Sequence, residues 1–135
     1  MSSPLVVRTV GEVRSAVAEA VRRGEAVRLV PTMGFLHEGH GALIDRATGD
    51  GGFVVVTIFV NPTQFGPGED FAKYPRDEEA DLAFCASRGV DAVFAPPVEE
   101  VYPEGFSSKV EVHGISEGLC GEHRPGHFTG CLLYT

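Results

Sequence analysis

The feature that most constrains this fold is the segment PTMGFLHEGH at residues 31–40, because it separates two runs of different hydrophobic pattern. Residues 27–30 (VRLV) have the apolar, β-branched character of a strand, and residues 42–47 (ALIDRA) have the pattern of a helix. The patterns predict that a strand passes through a turn into the N-terminus of a helix. Unpaired N–H groups and partial positive charge at that N-terminus favour the binding of an anion.

Two histidines and two glycines make this turn suitable for phosphate. His37 and His40 are three residues apart, so they share one face of the first helical turn. Gly34 and Gly39 have no side chains that would keep a ligand away from the backbone. We interpret the segment as a triphosphate site, and the alternative is a pair of solvated surface histidines. A zinc-protease motif is excluded, since it needs histidines four residues apart.

Helices alternate with apolar strands along the chain, which predicts an α/β fold with a parallel sheet. Ligands of such sheets bind at the carboxyl ends of the strands, where residues 31–40 and the segment that begins at Asn61 both lie. A capping box of Thr9 and Glu12 predicts a helix that ends near Gly24, with an apolar face of Val13, Val17, Ala20 and Val21. Further helices are predicted from His37 and at 77–88, the latter with Leu82, Ala83 and Ala86 inward. Strands are predicted at 27–30, 53–60, 90–94 and, as a short edge strand, 108–112, with turns at 49–52 and 96–105 and a loop at 61–75.

Charge and composition exclude several classes of function. The formal net charge of −8 argues against a nucleic-acid-binding surface, which needs clustered Lys and Arg. No apolar run approaches the length of a membrane span, and the N-terminus lacks the layout of a signal peptide. The three cysteines are an odd number, which argues against a complete disulfide framework. We therefore expect a cytoplasmic protein that binds neither nucleic acid nor membranes.

Three segments of the chain resemble a single family. They are PTMGFLHEGH at residues 31–40, VVTIFVNPTQFGPGEDFAKYPR at 55–76 and RPGHFTG at 124–130. On these segments the chain resembles the pantothenate synthetase (pantoate–β-alanine ligase) family, which belongs to the nucleotidyltransferases that carry an HxGH motif. The resemblance implies a Rossmann-like parallel sheet with flanking helices, of the HxGH nucleotidyltransferase type. It also implies that residues 1–135 are the N-terminal part of the nucleotide-binding domain, with the C-terminal part and the lid domain absent.

The same resemblance implies an activity and its site residues. The activity is ATP-dependent condensation of pantoate with β-alanine to pantothenate through a pantoyl-adenylate, with release of AMP and pyrophosphate. Mg²⁺ would accompany the ATP phosphates, and no particular protein ligand for it is implied. The resemblance also implies a homodimer. The residues implied to bind ATP are Met33, Gly34, Phe35, Leu36, His37, Glu38, Gly39 and His40, with His40 and His37 catalytic. Those implied to bind pantoate and β-alanine are Gln64, Asn61, Thr32, Met33 and Phe65.

The chemistry of Gln64 and Phe65 fits these implied roles. The amide of Gln64 both donates and accepts hydrogen bonds, which suits a ligand with hydroxyl and carboxylate groups. Phe65 would supply an apolar wall for the gem-dimethyl group of pantoate. The alternative is a simple turn after a strand, because Asn-Pro favours turns.

Other features leave alternatives open. A catalytically inactive fragment with partial nucleotide binding is one alternative function. A small zinc-binding module is another, because the spacing of Cys120, His123, His127 and Cys131 suits a metal. An acidic stretch is interpreted as a solvated helix face; its members are Glu69, Asp70, Asp77, Glu78, Glu79 and Asp81.

Overall fold

A computed structural model describes residues 2–134 as a four-stranded sheet with helices on both faces. The strands are β1 (Leu5–Val7), β2 (Val27–Thr32), β3 (Phe53–Ile58) and β4 (Ala92–Phe94). The helices are α1 (Val10–Arg22), α2 (Glu38–Gly49), α3 (Glu78–Ser87), α4 (Val98–Val101), α5 (Cys120–His123) and α6 (His127–Tyr134). Three short 3₁₀ helices lie at Pro62–Gln64, Phe71–Lys73 and Ile115–Glu117.

The sheet is parallel throughout, in the order β1-β4-β3-β2, so the predicted α/β class is confirmed. β3 is buried along almost its whole length because it lies between two strands and under helices on both faces, which its continuous apolar sequence suits. Since all four strands point the same way, the segments that follow β2 and β3 emerge at one edge of the sheet. Residues 31–40 and 61–65 therefore meet at the carboxyl edge.

Local signals explain where the first helices begin. The Thr9 hydroxyl accepts the N–H of Glu12, and the Glu12 carboxylate accepts the N–H of Thr9, which confirms the predicted capping box of α1. The helix ends at Arg22, shortly before the predicted stop at Gly24, whose φ of 78° is the left-handed conformation that glycine adopts readily. α2 begins as predicted at His37.

Two apolar clusters hold the helices against the sheet. Burial of this apolar surface is the main stabilising contribution to the fold. On the first face, α2 and α3 pack against the sheet through Val30, Ile44, Ala47, Val54, Val56, Cys85, Val90, Val93 and Ala95. On the second face, α1 packs through Val7, Ala20, Phe53, Val55, Ala92 and Phe94.

The structure corrects several sequence-based predictions. Residues 108–112 are not a strand, because their apolar side chains, Val110 and Val112, stay 41% and 38% exposed and no element covers them. β1 was not predicted, since three residues are too few to show a period. Ala83 and Val21 are exposed rather than inward, and Asp81 and Cys85 are the buried residues of α3. No helix within residues 2–134 has the length and apolar character needed to cross a membrane.

Candidate functional site

The turn between β2 and α2 has a tightly constrained backbone. Gly34 has a φ of 81°, and a Cβ atom built there would lie 2.9 Å from Cγ2 of Ile58 and 3.0 Å from Oδ2 of Asp81. A side chain at this position would therefore force the turn away from α3 and β3. The next residue, Phe35, is also left-handed with a φ of 53°, which is uncommon for a residue with a side chain. Its ring projects outward and is 55% exposed.

A buried carboxylate supports this turn from below. Asp81 in α3 is only 4% exposed, and its two oxygens accept the N–H groups of Phe35 and Leu36 at 2.8 Å each. The prediction that the acidic stretch is a solvated helix face is therefore wrong at Asp81. It is incomplete elsewhere, because Asp77 caps α3, Asp70 caps the 3₁₀ helix Phe71–Lys73, Glu78 binds Arg8 and Glu69 binds Arg124.

His37 and His40 cap α2 with their own rings. The N–H of Gly39 donates to Nδ1 of His37 at 3.0 Å, and the N–H of His37 donates to Nδ1 of His40 at 3.2 Å. The ring centroids are 4.2 Å apart. Since a ring nitrogen that accepts carries no proton, the proton of each neutral ring is on Nε2. Both histidines therefore present an N–H donor at the end of the ring remote from the cap.

His40 is biased towards the neutral form. Its pKa is lowered mainly because partial burial penalises the imidazolium, and the neighbouring His37 lowers the pKa further. The negative charge of Asp81 acts in the opposite direction and raises the pKa. A neutral His40 keeps Nδ1 available to the His37 N–H, so the cap and the Nε2 donor persist together.

The segment after β3 brings Gln64 to the same edge of the sheet. Asn61 is fully buried; its Oδ1 accepts the N–H of Thr63 at 3.0 Å and its Nδ2 donates to the carbonyl of Gly130 at 3.0 Å. Gln64 follows in the 3₁₀ helix and is 8% exposed. Asn61 thus supports the turn, and Gln64, which is also largely buried, is the last residue of the 3₁₀ helix.

A cleft of about 340 Å³ joins the two segments. Of the predicted substrate-binding residues, Thr32, Met33 and Gln64 line it together with His40, whereas Asn61 is fully buried and does not line it, and Phe65 packs edge-on against Phe71 and Tyr74. The aromatic residues that line this cleft are Phe59 and Tyr74. The complete lining is Pro31, Thr32, Met33, His40, Phe59, Gln64, Tyr74 and Cys131.

The remaining residues predicted to bind ATP surround the two rings. Leu36 packs against the core, and Glu38 is exposed and bound by Arg88 at 2.8 Å. A Cβ atom at Gly39 would come within 2.7 Å of Cε1 of His37, so glycine is needed beside that ring. Thr32 donates to the carbonyl of Thr57 at 2.7 Å and accepts the N–H of Gly34 at 3.1 Å, which joins the turn to β3.

The RPGHF segment holds the Gln64 backbone. Arg124 donates to the Gln64 carbonyl at 3.1 Å and to Oε1 of Glu69 at 2.9 Å. This guanidinium lowers the pKa of the Glu69 carboxyl. Nδ1 of His127 lies 3.1 Å from the same carbonyl and therefore donates, leaving Nε2 to face Sγ of Cys131 at 3.6 Å. Sequence reasoning did not assign this role to Arg124 and His127, because nothing in the sequence shows that residues 60 positions apart meet.

The zinc alternative has no support in this geometry. Within residues 2–134, no three His, Cys, Asp or Glu side chains are arranged to hold a metal ion. Of the four residues proposed as ligands, His127 is engaged with Gln64 and Cys131, and His123 lies 4.0 Å from Glu122.

The chain thus has a parallel α/β sheet, a helix capped by two histidines and a cleft at the carboxyl edge of the sheet. The family model described as "Pantoate-beta-alanine ligase" matches residues 5–134, and the chain belongs to this family. The resemblance found in the sequence is thereby confirmed.

Individual relatives agree with this assignment. The pantothenate synthetase of Moorella thermoacetica is 56% identical over 93% of this chain, and that of Myxococcus xanthus is 54% identical over 95%. The match covers 44% of each relative, so the chain spans less than half the length of these curated relatives.

Solved structures confirm the fold. The pantoate–β-alanine ligase of Thermus thermophilus superposes with a TM-score of 0.86 at 53% identity, over 93% of this chain and 44% of that one. The enzyme of Francisella tularensis, solved with "Beta-gamma ATP and Beta-alanine", gives a TM-score of 0.89 at 36% identity, over 96% of this chain and 50% of that one.

Proposed function

We propose that this chain provides the phosphate-binding and pantoate-binding part of an ATP-dependent C–N ligase that makes pantothenate. In the proposed reaction a carboxylate oxygen of pantoate attacks the α-phosphorus of ATP, and pyrophosphate leaves. The amine of β-alanine then attacks the acyl carbon of the pantoyl-adenylate, and AMP leaves. The observation that carries the proposal is that His40, with a donor fixed on Nε2, and Gln64 line one cleft at the carboxyl edge of the sheet.

The two histidines would act on the phosphates. Negative charge grows on the α-phosphate and on the leaving pyrophosphate as the acyl oxygen attacks. Donors that are already oriented stabilise such charge without having to reorganise, which lowers the barrier. The caps on Nδ1 provide this orientation for both rings, and the N-terminus of α2 adds its partial positive charge.

Gln64 would orient pantoate. Its backbone carbonyl is held by Arg124 and His127, so the position of the residue is fixed from behind. The side-chain amide is left to bind the hydroxyl or carboxylate groups of pantoate, with Phe59 and Tyr74 beside it as apolar walls. Holding the carboxylate near the α-phosphorus would convert a bimolecular encounter into a positioned attack.

Mg²⁺ would enter with ATP. Asp81, the buried carboxylate nearest the turn, already uses both oxygens on backbone N–H groups. Phosphate oxygens and water would supply most of the ligands of the ion, because Mg²⁺ usually keeps several waters and takes at most one or two carboxylates from a protein.

The first experiment separates the donor role of the histidines from their capping role. Asn places an acceptor where the Nδ1 atom of His lies but has no group that replaces Nε2, so His37→Asn and His40→Asn preserve the caps. We expect each variant to lose about 1.5–3 kcal/mol of ATP-binding free energy, the contribution of a hydrogen bond to a charged group. Isothermal titration calorimetry measures this loss, with circular dichroism as the test of folding.

His113→Asn is the matched control, since this exposed histidine does not line the cleft. Unchanged ATP affinity in the double variant His37→Asn/His40→Asn would refute the phosphate role. Equal losses in His113→Asn would show that the effect is not specific to the site.

The second experiment concerns Gln64 and catalysis. Gln64→Leu preserves bulk and removes the amide, so pantoate binding should weaken while ATP binding stays nearly unchanged. Pantoate-dependent AMP release with β-alanine then tests the 135 residues by themselves. Turnover of about 1 s⁻¹ or more, the ordinary enzyme range, would show that these residues suffice. ATP binding without turnover would favour the alternative of a partial site.

A further inference from the structure

We propose that Asp81 is a positioning residue: it holds the phosphate-binding turn in the conformation that orients His37 and His40. The proposal rests on the function proposed above, because orientation of these rings matters only if they bind phosphate. Asp81 would act entirely through the backbone of the turn and would not touch the ligand.

The contacts of Asp81 are specific to this turn. Its two oxygens accept consecutive N–H groups, those of Phe35 and Leu36, at 2.8 Å each. Leu36 is joined by a single peptide bond to His37, the residue whose N–H donates to the His40 ring. The carboxylate therefore fixes the peptide planes immediately before the double histidine cap.

The turn needs such support because of Phe35. Its φ of 53° is unfavourable for a residue with a side chain, and such a conformation persists only where surrounding contacts impose it. The N–H of Phe35 is one of the two groups that Asp81 binds. Gly34 complements this contact, since a Cβ atom there would lie 3.0 Å from the same carboxylate.

The location of Asp81 argues against a direct role with the ligand. It lines a different cavity of about 480 Å³, together with Gly34 and Met33, and not the cleft lined by His40 and Gln64. A carboxylate placed against phosphate would also repel it. Asp81 is not needed to cap its own helix either, because Asp77 already accepts the N–H of Ala80 at 3.1 Å.

Asp91 offers a control of the same chemistry. Its Oδ2 accepts the N–H of Val54 at 2.8 Å, but this contact lies at the amino ends of β3 and β4, opposite the site. Asp81→Asn and Asp91→Asn each replace a carboxylate by an amide of the same shape. Only the first removes an acceptor from the phosphate-binding turn.

The test combines amide hydrogen exchange with ATP titration on the 135-residue chain. In Asp81→Asn we expect exchange at Phe35 and Leu36 to accelerate and the Kd for ATP to rise roughly tenfold or more, the equivalent of about 1.4 kcal/mol. In Asp91→Asn we expect faster exchange at Val54 and an unchanged Kd. Faster exchange at the turn with unchanged ATP affinity would overturn the proposal, and so would unchanged exchange.

Two further measurements keep the outcomes distinct. If the wild-type chain binds no ATP, the proposed function fails. Nuclear Overhauser contacts between the rings of His37 and His40 then still show whether Asp81→Asn disorders the two rings. Retention of those contacts would overturn the positioning role. If Asp81→Asn does not fold, exchange in the wild-type chain decides: protection of Phe35 and Leu36 equal to that of β3 supports the proposal, and exchange at open-loop rates refutes it.

Discussion

The sheet region, residues 5–95, and the C-terminal segment, residues 96–134, are held together by different forces. Both apolar clusters lie entirely in the sheet region, where Ile44, Val56 and Val93 are completely buried. Within residues 97–133, Gly130 alone is buried, and Ile115 and Leu119 are 89% and 84% exposed. Apolar burial thus stabilises the first region and contributes little to the second.

Polar contacts attach the C-terminal segment to the carboxyl edge of the sheet. Asn61 binds Gly130, Arg124 binds Glu69, and both Arg124 and His127 bind the Gln64 carbonyl. The two sides of the cleft therefore differ. The histidine side belongs to the packed region, whereas the position of Gln64 depends on hydrogen bonds to a segment with almost no core.

The largest expected difference comes from apolar truncation in each region. Ile44→Ala should lower the free energy of unfolding by about 2–5 kcal/mol, since it leaves a cavity in the core. Ile115→Ala, the same change at an exposed position, should shift it by at most about 0.5 kcal/mol. Urea denaturation measures both. Similar losses would show that the C-terminal segment has an apolar core of its own and would remove the contrast.

A smaller effect is expected at the buried amide that joins the regions. Asn61→Ala removes the bond to Gly130 and leaves that carbonyl without the amide donor, which should cost about 1–3 kcal/mol. Limited proteolysis should then cut residues 96–134 faster, and pantoate binding should fall while ATP binding persists. If Asn61→Ala is cut no faster than Ile115→Ala, contacts other than the Asn61–Gly130 bond hold the segment.

A still smaller effect is expected at the partly exposed ion pair. Glu69→Gln weakens the pair with Arg124 but leaves Arg124 able to donate to the Gln64 carbonyl, whereas Arg124→Leu removes both bonds. We expect Arg124→Leu to weaken pantoate binding more than Glu69→Gln does, with little change in global stability. Equal effects in calorimetry would mean that the ion pair, and not the carbonyl contact, positions Gln64.

The same contrast explains how much the sequence could predict. The capping box at Thr9 and the His37 helix start were predicted because each depends on neighbours within a few residues, and the parallel sheet was predicted from the alternation of helices and strands along the chain. The short edge strand predicted at 108–112 is wrong, since no element covers it. Asp81 was assigned to solvent because a helical acidic run looks exposed; its partners are 45 and 46 residues away. Contacts between distant segments, which position both sides of the cleft, have no local signal.

The smallest expected effect is the pH dependence of the histidine side. The pKa of His40 is lowered on folding, chiefly by burial. The unfolded chain therefore takes up a proton at this residue more readily than the folded chain does. The stability that depends on neutral His40 is complete above the unfolded pKa of about 6.5 and is lost as the pH falls from there towards the folded pKa. Protonation also removes the Nδ1 acceptor of the cap.

This loss should be confined to the histidine side of the cleft. Measured from about pH 7.5 to pH 5, spanning the ordinary histidine pKa, the free energy of unfolding should fall less steeply in His40→Asn, which retains an acceptor for the cap but does not titrate. Ile115→Ala, which replaces no titratable group at an exposed position, should follow the wild type. Amide exchange should rise at His37, whose N–H the His40 ring accepts, before it rises at Thr63, whose N–H bonds to Asn61. Parallel curves for the wild type and His40→Asn would show that the cap tolerates protonation, and the contrast between the two sides would then rest on packing alone.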